Sequence, residues 1–178
     1  ECFGKLIEMV NKQDYPKELI QWVIIDDGDD KIKDMIDDNI KIDNVEYIEL
    51  DKKIPIGEKR NLMHNYCNGN IIVYMDDDDY YPSTRISHAV DMLMKNPKAL
   101  CAGCSKIYVY FTESKEILRF GPYNDNHATA NTFAFWRNLL EQTQYDNRAS
   151  VSEEKYFLKN YTIPFVQLDV MKTILVIS

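Results

Sequence analysis

Gly69-Asn70-Ile71-Ile72-Val73-Tyr74-Met75-Asp76-Asp77-Asp78-Asp79-Tyr80-Tyr81-Pro82 is the stretch on which the reading of this chain turns. Residues 71–75 form an apolar run of strand length, the pattern of a strand buried on both faces. The run stops in four consecutive aspartates with no lysine or arginine among them. Pro82 then opens a helix, where a missing N–H costs nothing. Four neighbouring carboxylates repel one another unless something compensates. One reading is a solvated acidic loop. The other is a divalent cation shared with phosphate oxygens, because hard oxygen ligands suit Mg²⁺ or Mn²⁺.

Working outward, a second apolar run at residues 19–25 also ends in acid, at Asp26-Asp27-Gly28. Phe3, Leu6, Ile7 and Val10 fall at helical spacing over residues 1–12. A weaker helix surrounds Ile32, Met35 and Ile36, and residues 45–50 read as a strand. Residues 57–67 read as a helix with Leu62, Met63 and Tyr66 inward. The helix after Pro82 buries Ile86, Ala89, Val90, Leu93 and Met94, and Asn96-Pro97 ends it. Such alternation predicts an α/β fold, an open and mostly parallel sheet flanked by helices. Ligands in such sheets bind beyond the carboxyl ends of the strands, where both acidic clusters stand.

The second half has a different pattern. Residues 99–111 and 117–120 read as antiparallel strands about a polar turn at 112–116, and residues 124–131 as a polar loop. Residues 131–142 read as a helix carrying Phe133, Phe135, Trp136, Leu139 and Leu140. A further helix is expected at 150–159, then apolar runs at 163–170 and 173–177. An open parallel sheet usually starts with a strand, yet this chain opens in a helix and stops after an apolar run. The expectation is one domain lacking its first strand and a C-terminal part.

The chain has 178 residues, of which 45% are hydrophobic, 28% charged and 12% aromatic. That is globular composition and excludes disordered, collagen-like and coiled-coil classes. The net charge is −8, which disfavours a nucleic-acid partner because such domains show a basic face. No apolar run approaches the ~18 residues of a membrane span. Four cysteines are too few for a disulfide scaffold, and Cys101 and Cys104 lack a second pair for a structural zinc site. Cysteine usage points to a reducing, cytoplasmic compartment rather than secretion.

Three enzyme families place acids after such a strand. Tyr74-Met75-Asp76-Asp77 spells the motif of a reverse-transcriptase palm, but that motif needs a hairpin, and a proline-started helix follows here. A haloacid dehalogenase-type phosphatase needs a lysine and a later acidic pair, and neither can be placed. The third family fits. Gln13-Asp14-Tyr15-Pro16, Val23-Ile24-Ile25-Asp26-Asp27-Gly28, Gly57-Glu58-Lys59-Arg60-Asn61, the stretch 69–79, Pro82 and Glu153-Glu154 occur in that order. With these residues the chain resembles glycosyltransferase family 2, the inverting, nucleotide-sugar-dependent branch with a GT-A fold. The likeness is strong over residues 3–95 and weaker beyond.

The resemblance implies a donor-binding half at residues 1–98 and an acceptor-binding half at 99–178. It implies a metal-dependent transfer from a nucleotide-sugar, of UDP type, to a hydroxyl on a glycan, protein or lipid. Asp26 matches the acid that accepts from the nucleotide base, with Asp27 beside it. Each has the alternative of an Asx turn ending the strand. Lys59, Arg60 and Asn61 match a basic helix start near the donor. An arginine there holds diphosphate or pairs with acids. The family's DxD maps onto Asp76, near the ribose and metal, and Asp78, on the Mn²⁺ or Mg²⁺. Asp77 faces inward or repeats the charge, and Asp79 serves structure, toward the helix start at Pro82.

An inverting transfer needs one carboxylate to deprotonate the acceptor. The family takes it from an acidic pair, usually Glu-Asp, and here the pair is Glu153-Glu154. Ser150-x-x-Glu153 also fits a capping box, which gives Glu153 a structural task and leaves Glu154 as the better base. His64 and His88 read as surface or boundary residues, and His127 as a weak acceptor-side candidate. Phe133, Phe135 and Trp136 read as core, with Trp136 the one to test as a sugar platform. Tyr80 and Tyr81 line the donor cleft or pack. The rival reading is a non-catalytic GT-A-like module that binds nucleotide-sugar or glycan.

Overall fold

The computed structural model of the protein describes residues 2–149 and 153–178, with residues 37 and 38 described by backbone alone. The first half alternates as expected: α1 (Cys2–Asn11), β1 (Gln21–Asp26), α2 (Lys33–Asn39), β2 (Asn44–Glu49), α3 (Ile56–His64), β3 (Ile71–Val73) and α4 (Arg85–Lys95). The second half holds β4 (Cys101–Gly103), β5 (Ile107–Phe111), β6 (Glu116–Phe120), β7 (Ala134–Trp136), α5 (Glu154–Phe157), β8 (Phe165–Gln167) and β9 (Val176–Ile177).

The strands hydrogen-bond in three open ladders. β1 and β2 run parallel, with Gln21 opposite Asn44 and Asp26 opposite Glu49. The central ladder has the order β3-β7-β4-β8, and β7 is antiparallel to both its neighbours. The third has the order β6-β5-β9 and contains the expected β5–β6 hairpin. The α/β class with open sheets and flanking helices therefore holds, but antiparallel pairings match parallel ones among the described strands, and each antiparallel pairing includes a strand of the second half, β3 of the first half being antiparallel to β7.

The central ladder separates two apolar clusters. Ala102 and Ala134 face α1 and α4, joining Phe3, Leu6, Ile7, Val10, Ala89 and Leu93. Cys101, Phe133 and Phe135 face the other way, toward Ile72, Tyr74, Tyr145 and Phe157. α1 forms because its four apolar residues sit at i, i+3, i+4 and i+7, and all four are buried. Full burial of each is worth roughly 1.5–3 kcal/mol.

The stretch read as a helix over 131–142 is instead a strand between two 3-10 turns, Ala130–Thr132 and Arg137–Glu141. Phe133, Phe135, Leu139 and Leu140 imitate a helical stripe, but β7 fills the slot between β3 and β4, and pairing on both edges overrides local pattern. Phe133 and Phe135 are fully buried, as expected of core, and Trp136 is partly buried.

Other boundaries shift. β3 ends at Val73, two residues before the run does. The helix after Pro82 begins at Arg85, and its buried residues are Arg85, Ala89 and Leu93, while Met94 is exposed. α3 buries Gly57, Arg60 and His64, with Leu62, Met63 and Tyr66 only half-buried. Of the helix expected at 150–159, the described residues form one turn, Glu154–Phe157. Gly57 has a packing reason: a Cβ there would stand 2.0 Å from the Asp146 carbonyl oxygen. Among the described residues no helix is long and apolar enough to cross a membrane.

Candidate active site

The loop after β3 is held at both ends while its middle is left bare. At its start, the Asp76 N–H donates to the Tyr81 hydroxyl at 2.7 Å. Tyr81 is itself buried in the core, whereas Tyr80 is half exposed. Tyr80 and Leu175 exchange backbone hydrogen bonds at 3.0 and 2.9 Å, which ties the loop to the segment leading into β9. The buried Gln13 closes the far side. Its amide donates to the Pro82 carbonyl at 2.9 Å and accepts from the Ile86 N–H at 3.0 Å. Gln13 is the first residue of the Gln-Asp-Tyr-Pro motif, and its role is to fix the acid loop to the end of α1.

Asp79 is structural, as read from the sequence, but its partners differ from those expected. It accepts from the Ile177 N–H at 3.1 Å and the Asn131 amide at 2.8 Å, facing β9 and not the helix start. Burial pushes its carboxyl up to about 6, against those two donors. Asp77 and Asp78 are exposed, and neither enters an ion pair among the described residues.

Asp76 lies between these extremes. Its side chain is 40% exposed, and Oδ2 stands 3.8 Å from Arg60 Nη2. Crowding raises its carboxyl pKa, Arg60 lowers it, and the neighbouring acids raise it again.

Arg60 is the pivot of the site. It projects from α3 and is 5% exposed. Its Nη1 stands 2.7 Å from Glu153 Oε1, off-axis for a hydrogen bond but in full ion-pair contact. The guanidinium carbon lies 4.9 Å from the Tyr74 ring and 5.4 Å from the Tyr145 ring. Burial disfavours its charge, but the surrounding tyrosines, Asp76 and Glu153 outweigh this and keep it protonated.

Beneath it lies His64, which the sequence placed at the surface or boundary and which is buried. α3 must press one face on the aromatic cluster, and Gly57, Arg60 and His64 form that face. His64 Nε2 pairs with the Tyr74 hydroxyl at 2.6 Å. Burial, and then Arg60, hold the imidazole down at about 4.

The acidic pair opens α5. Glu153 precedes the helix with no capping bond, and its side chain turns to Arg60. The expected capping partner, Ser150, lies outside the described residues. Glu154 is half-buried and enters no ion pair among the described residues. His127 is packed between Tyr123 and Tyr161, with centroids at 4.7 and 5.0 Å. Burial lowers its pKa and Glu154 opposes that, so Glu154 and this ring stack share one neighbourhood. A cleft of about 910 Å³ opens beside α5, lined in part by Glu141, Gln144, Glu153, Lys155 and Tyr156.

The earlier acidic cluster behaves otherwise. Asp26 is buried, and its oxygens accept from Gly28 N, Ile32 N and the Tyr47 hydroxyl at 3.0, 3.0 and 2.6 Å. Burial pushes this carboxyl up, but the three donors and Lys31 outweigh it and leave the pKa lowered. Asp27 pairs with Lys59 at 2.6 Å and accepts from Ile54 N at 3.2 Å. Asn61 binds both backbone polar groups of Tyr145 at 2.9 Å, so it pins the second half rather than facing outward.

Two parts of the site went unread in the sequence, the aromatic bed under Arg60 and the buried Arg85. Arg85 donates to the carbonyls of Tyr74, Thr132 and Phe133 at 3.0, 2.9 and 2.8 Å. The signal was available for Arg85, which stands four residues before Ala89 and so lies on the buried stripe of its helix. Arg60 shares its buried face with Gly57 and His64, which carry no apolar signal.

No three His, Cys, Asp or Glu side chains converge as a ready cage for an ion among the described residues. Mg²⁺-like ions need only one or two carboxylates when phosphates and water complete the shell. The bare Asp77 and Asp78, beside Asp76, meet that need.

The sequence model of Glycosyl transferase family 2 matches residues 1–151. A search of curated proteins by sequence finds no match. Among solved structures, S. aureus TarS 1–349 in complex with UDP aligns with a TM-score of 0.76 at 15% identity, covering 99% of this chain and 56% of that one. The mannosyltransferase PcManGT from Pyrobaculum calidifontis, in complex with GDP-Man and Mn²⁺, aligns at 0.71 and 15% identity, covering 99% and 52%. GalNAc-T7 with UDP, GalNAc and Mn²⁺ aligns at 0.69 and 16% identity, covering 97% and 40%. The chain thus spans about half the length of the structures it matches.

Proposed function

The chain belongs to glycosyltransferase family 2, and on that premise we propose that it transfers a sugar from a nucleoside-diphosphate sugar, of UDP type, to an acceptor hydroxyl with inversion. One observation carries the reading. Arg60 stands against both Asp76 and Glu153, so acids from opposite halves of the chain meet at one place. A donor site needs the first and an acceptor base needs the neighbourhood of the second.

In this reading Asp76 and Asp78 would hold Mn²⁺ or Mg²⁺, with Asp77 adding charge. When bound, the ion neutralises the charge of the leaving diphosphate. Asp26 holds the turn at residues 26–32, and the Asp27–Lys59 pair would stand on the nucleoside side of the donor. Asn61 and α3 fix the second half against the first.

Glu154 accepts the acceptor's hydroxyl proton. The freed oxygen bonds to the anomeric carbon as that carbon's bond to the diphosphate oxygen breaks, and the nucleoside diphosphate leaves with the electron pair. Attack from the face opposite the leaving group inverts the anomeric centre. The acceptor would approach this base from the side of the His127 and Tyr161 rings, since Glu153 and not Glu154 lines the cleft beside α5. Glycan, protein and lipid acceptors all carry the required hydroxyl.

The test is UDP binding by calorimetry with and without Mn²⁺, followed by release of UDP from UDP-sugars and of GDP from GDP-sugars by the protein and by Glu154→Gln. Metal-dependent binding with turnover lost in Glu154→Gln is the expected result. Binding without turnover in either protein would favour a non-catalytic nucleotide-sugar module. No binding of UDP or GDP in either condition would sink the reading.

A further inference from the structure

Arg60 invites a role that its place beside the donor acids hides. A guanidinium that holds a diphosphate must present open N–H groups to it. Arg60 is 5% exposed, its Nη1 is against Glu153, its Nη2 faces Asp76, and the rings of Tyr74 and Tyr145 lie over it. Little of it remains open to an incoming phosphate.

The turn that carries Glu154 has the opposite need. α5 is four residues long, and a single helical turn has almost no intrinsic stability. Its far end is anchored by the buried Phe157 and by the Thr143 hydroxyl donating to the Phe157 carbonyl at 2.8 Å. At its near end Glu153 makes no capping bond and its side chain is instead ion-paired to Arg60. Arg60 itself is fixed, because α3 approaches the chain at Asp146 so closely that residue 57 must be glycine.

We propose that Arg60 is a positioning residue for the acceptor base: through Glu153 it sets the direction of Glu154 and does not bind the donor diphosphate. This rests on the reading of Glu154 as the base. Glu153 is then a strut with its charge engaged.

The experiment compares Arg60→Lys, Glu153→Gln and the double variant with the unsubstituted protein. UDP affinity is measured by calorimetry in Mn²⁺. Release of UDP from UDP-sugars and of GDP from GDP-sugars is measured at saturating donor, with water as acceptor. Lysine keeps the charge but loses the planar fork, and glutamine keeps the shape of Glu153 but loses its charge.

Each single variant is expected to keep UDP affinity within twofold and to lose at least tenfold in saturated rate. The double variant is expected to lose no more than the worse single variant, since both break one link. A tenfold loss of UDP affinity with the saturated rate intact would overturn the proposal, and so would losses that multiply. If Arg60→Lys does not fold, Glu153→Gln decides alone, and an unchanged rate there overturns it. Absence of both UDP and GDP release by the unsubstituted protein would remove the catalytic reading and this proposal together, whereas the wrong split in an active protein removes only this one.

Discussion

The two acidic strand ends look alike in sequence and differ in what their carboxylates touch. At the end of β1, Asp26 is filled by two backbone N–H groups and a tyrosine, and Asp27 by Lys59 and Ile54. At the end of β3, Asp79 is engaged and Asp76 faces an arginine, while Asp77 and Asp78 stand in solvent. An acid that already accepts several hydrogen bonds stabilises a loop. A row of acids left bare on a backbone fixed from both sides stores repulsion that a cation relieves. Aspartates at a strand end are therefore no guide to role until their partners are counted.

The largest effect should separate the two ends outright. Asp78→Asn is expected to lower transfer and Mn²⁺-dependent UDP binding on the order of 100-fold or more. Its thermal midpoint should hold or rise, because one repelling charge is gone. Loss of activity together with a fall in the midpoint would break the comparison, since the exposed acids would then be structural too.

Acid should act on the two ends in different pH windows. His64, under the β3 end, has a folded pKa of about 4 against an ordinary 6.5. The unfolded chain therefore binds the extra proton first, and stability falls as pH drops from 6.5 to 4. The difference is about 3 kcal/mol. His64→Gln keeps a partner for Tyr74 and should flatten that limb in pH-dependent denaturation. Asp26, whose pKa folding lowers, should keep its contribution until pH falls below about 3.9 and lose it through its lower folded value. An acid limb of equal depth in His64→Gln would place the titration elsewhere.

The smaller effects grade the β1 end. Asp26→Ala removes one acceptor from three donors and should cost about 2–3 kcal/mol in chemical denaturation. Tyr47→Phe removes a single charge-assisted bond and should cost about 1–2 kcal/mol. If Asp26→Ala left stability untouched but abolished UDP binding, Asp26 would be a nucleotide contact and not a clamp.

The first half was legible because each of its elements carries its own signal. α1 shows helical periodicity, β1 is an apolar run and β2 a short stretch carrying Val45, Tyr47 and Ile48, and each lies within two residues of where the pattern puts it. The acid loop was legible as a site for the same reason, since charge at a strand end is visible in one dimension. β7 was illegible because its apolar residues suit helix and strand alike, and the two vacant edges beside it decided. His64 and Arg85 were misread or passed over because polar residues default to the surface. Their burial depends on a hydroxyl and three carbonyls supplied by distant segments.

The sequence by itself determined the α/β class, the two acidic strand ends, the family and the acidic pair at Glu153-Glu154. These are local: periodicity, run length and charge order survive without neighbours. Tertiary structure alone decided which acids are engaged and which are bare, and that Arg60 takes Glu153 and leaves Glu154 without an ion pair among the described residues. A hydrogen bond or ion pair is a property of two groups, and its second group lies far along the chain.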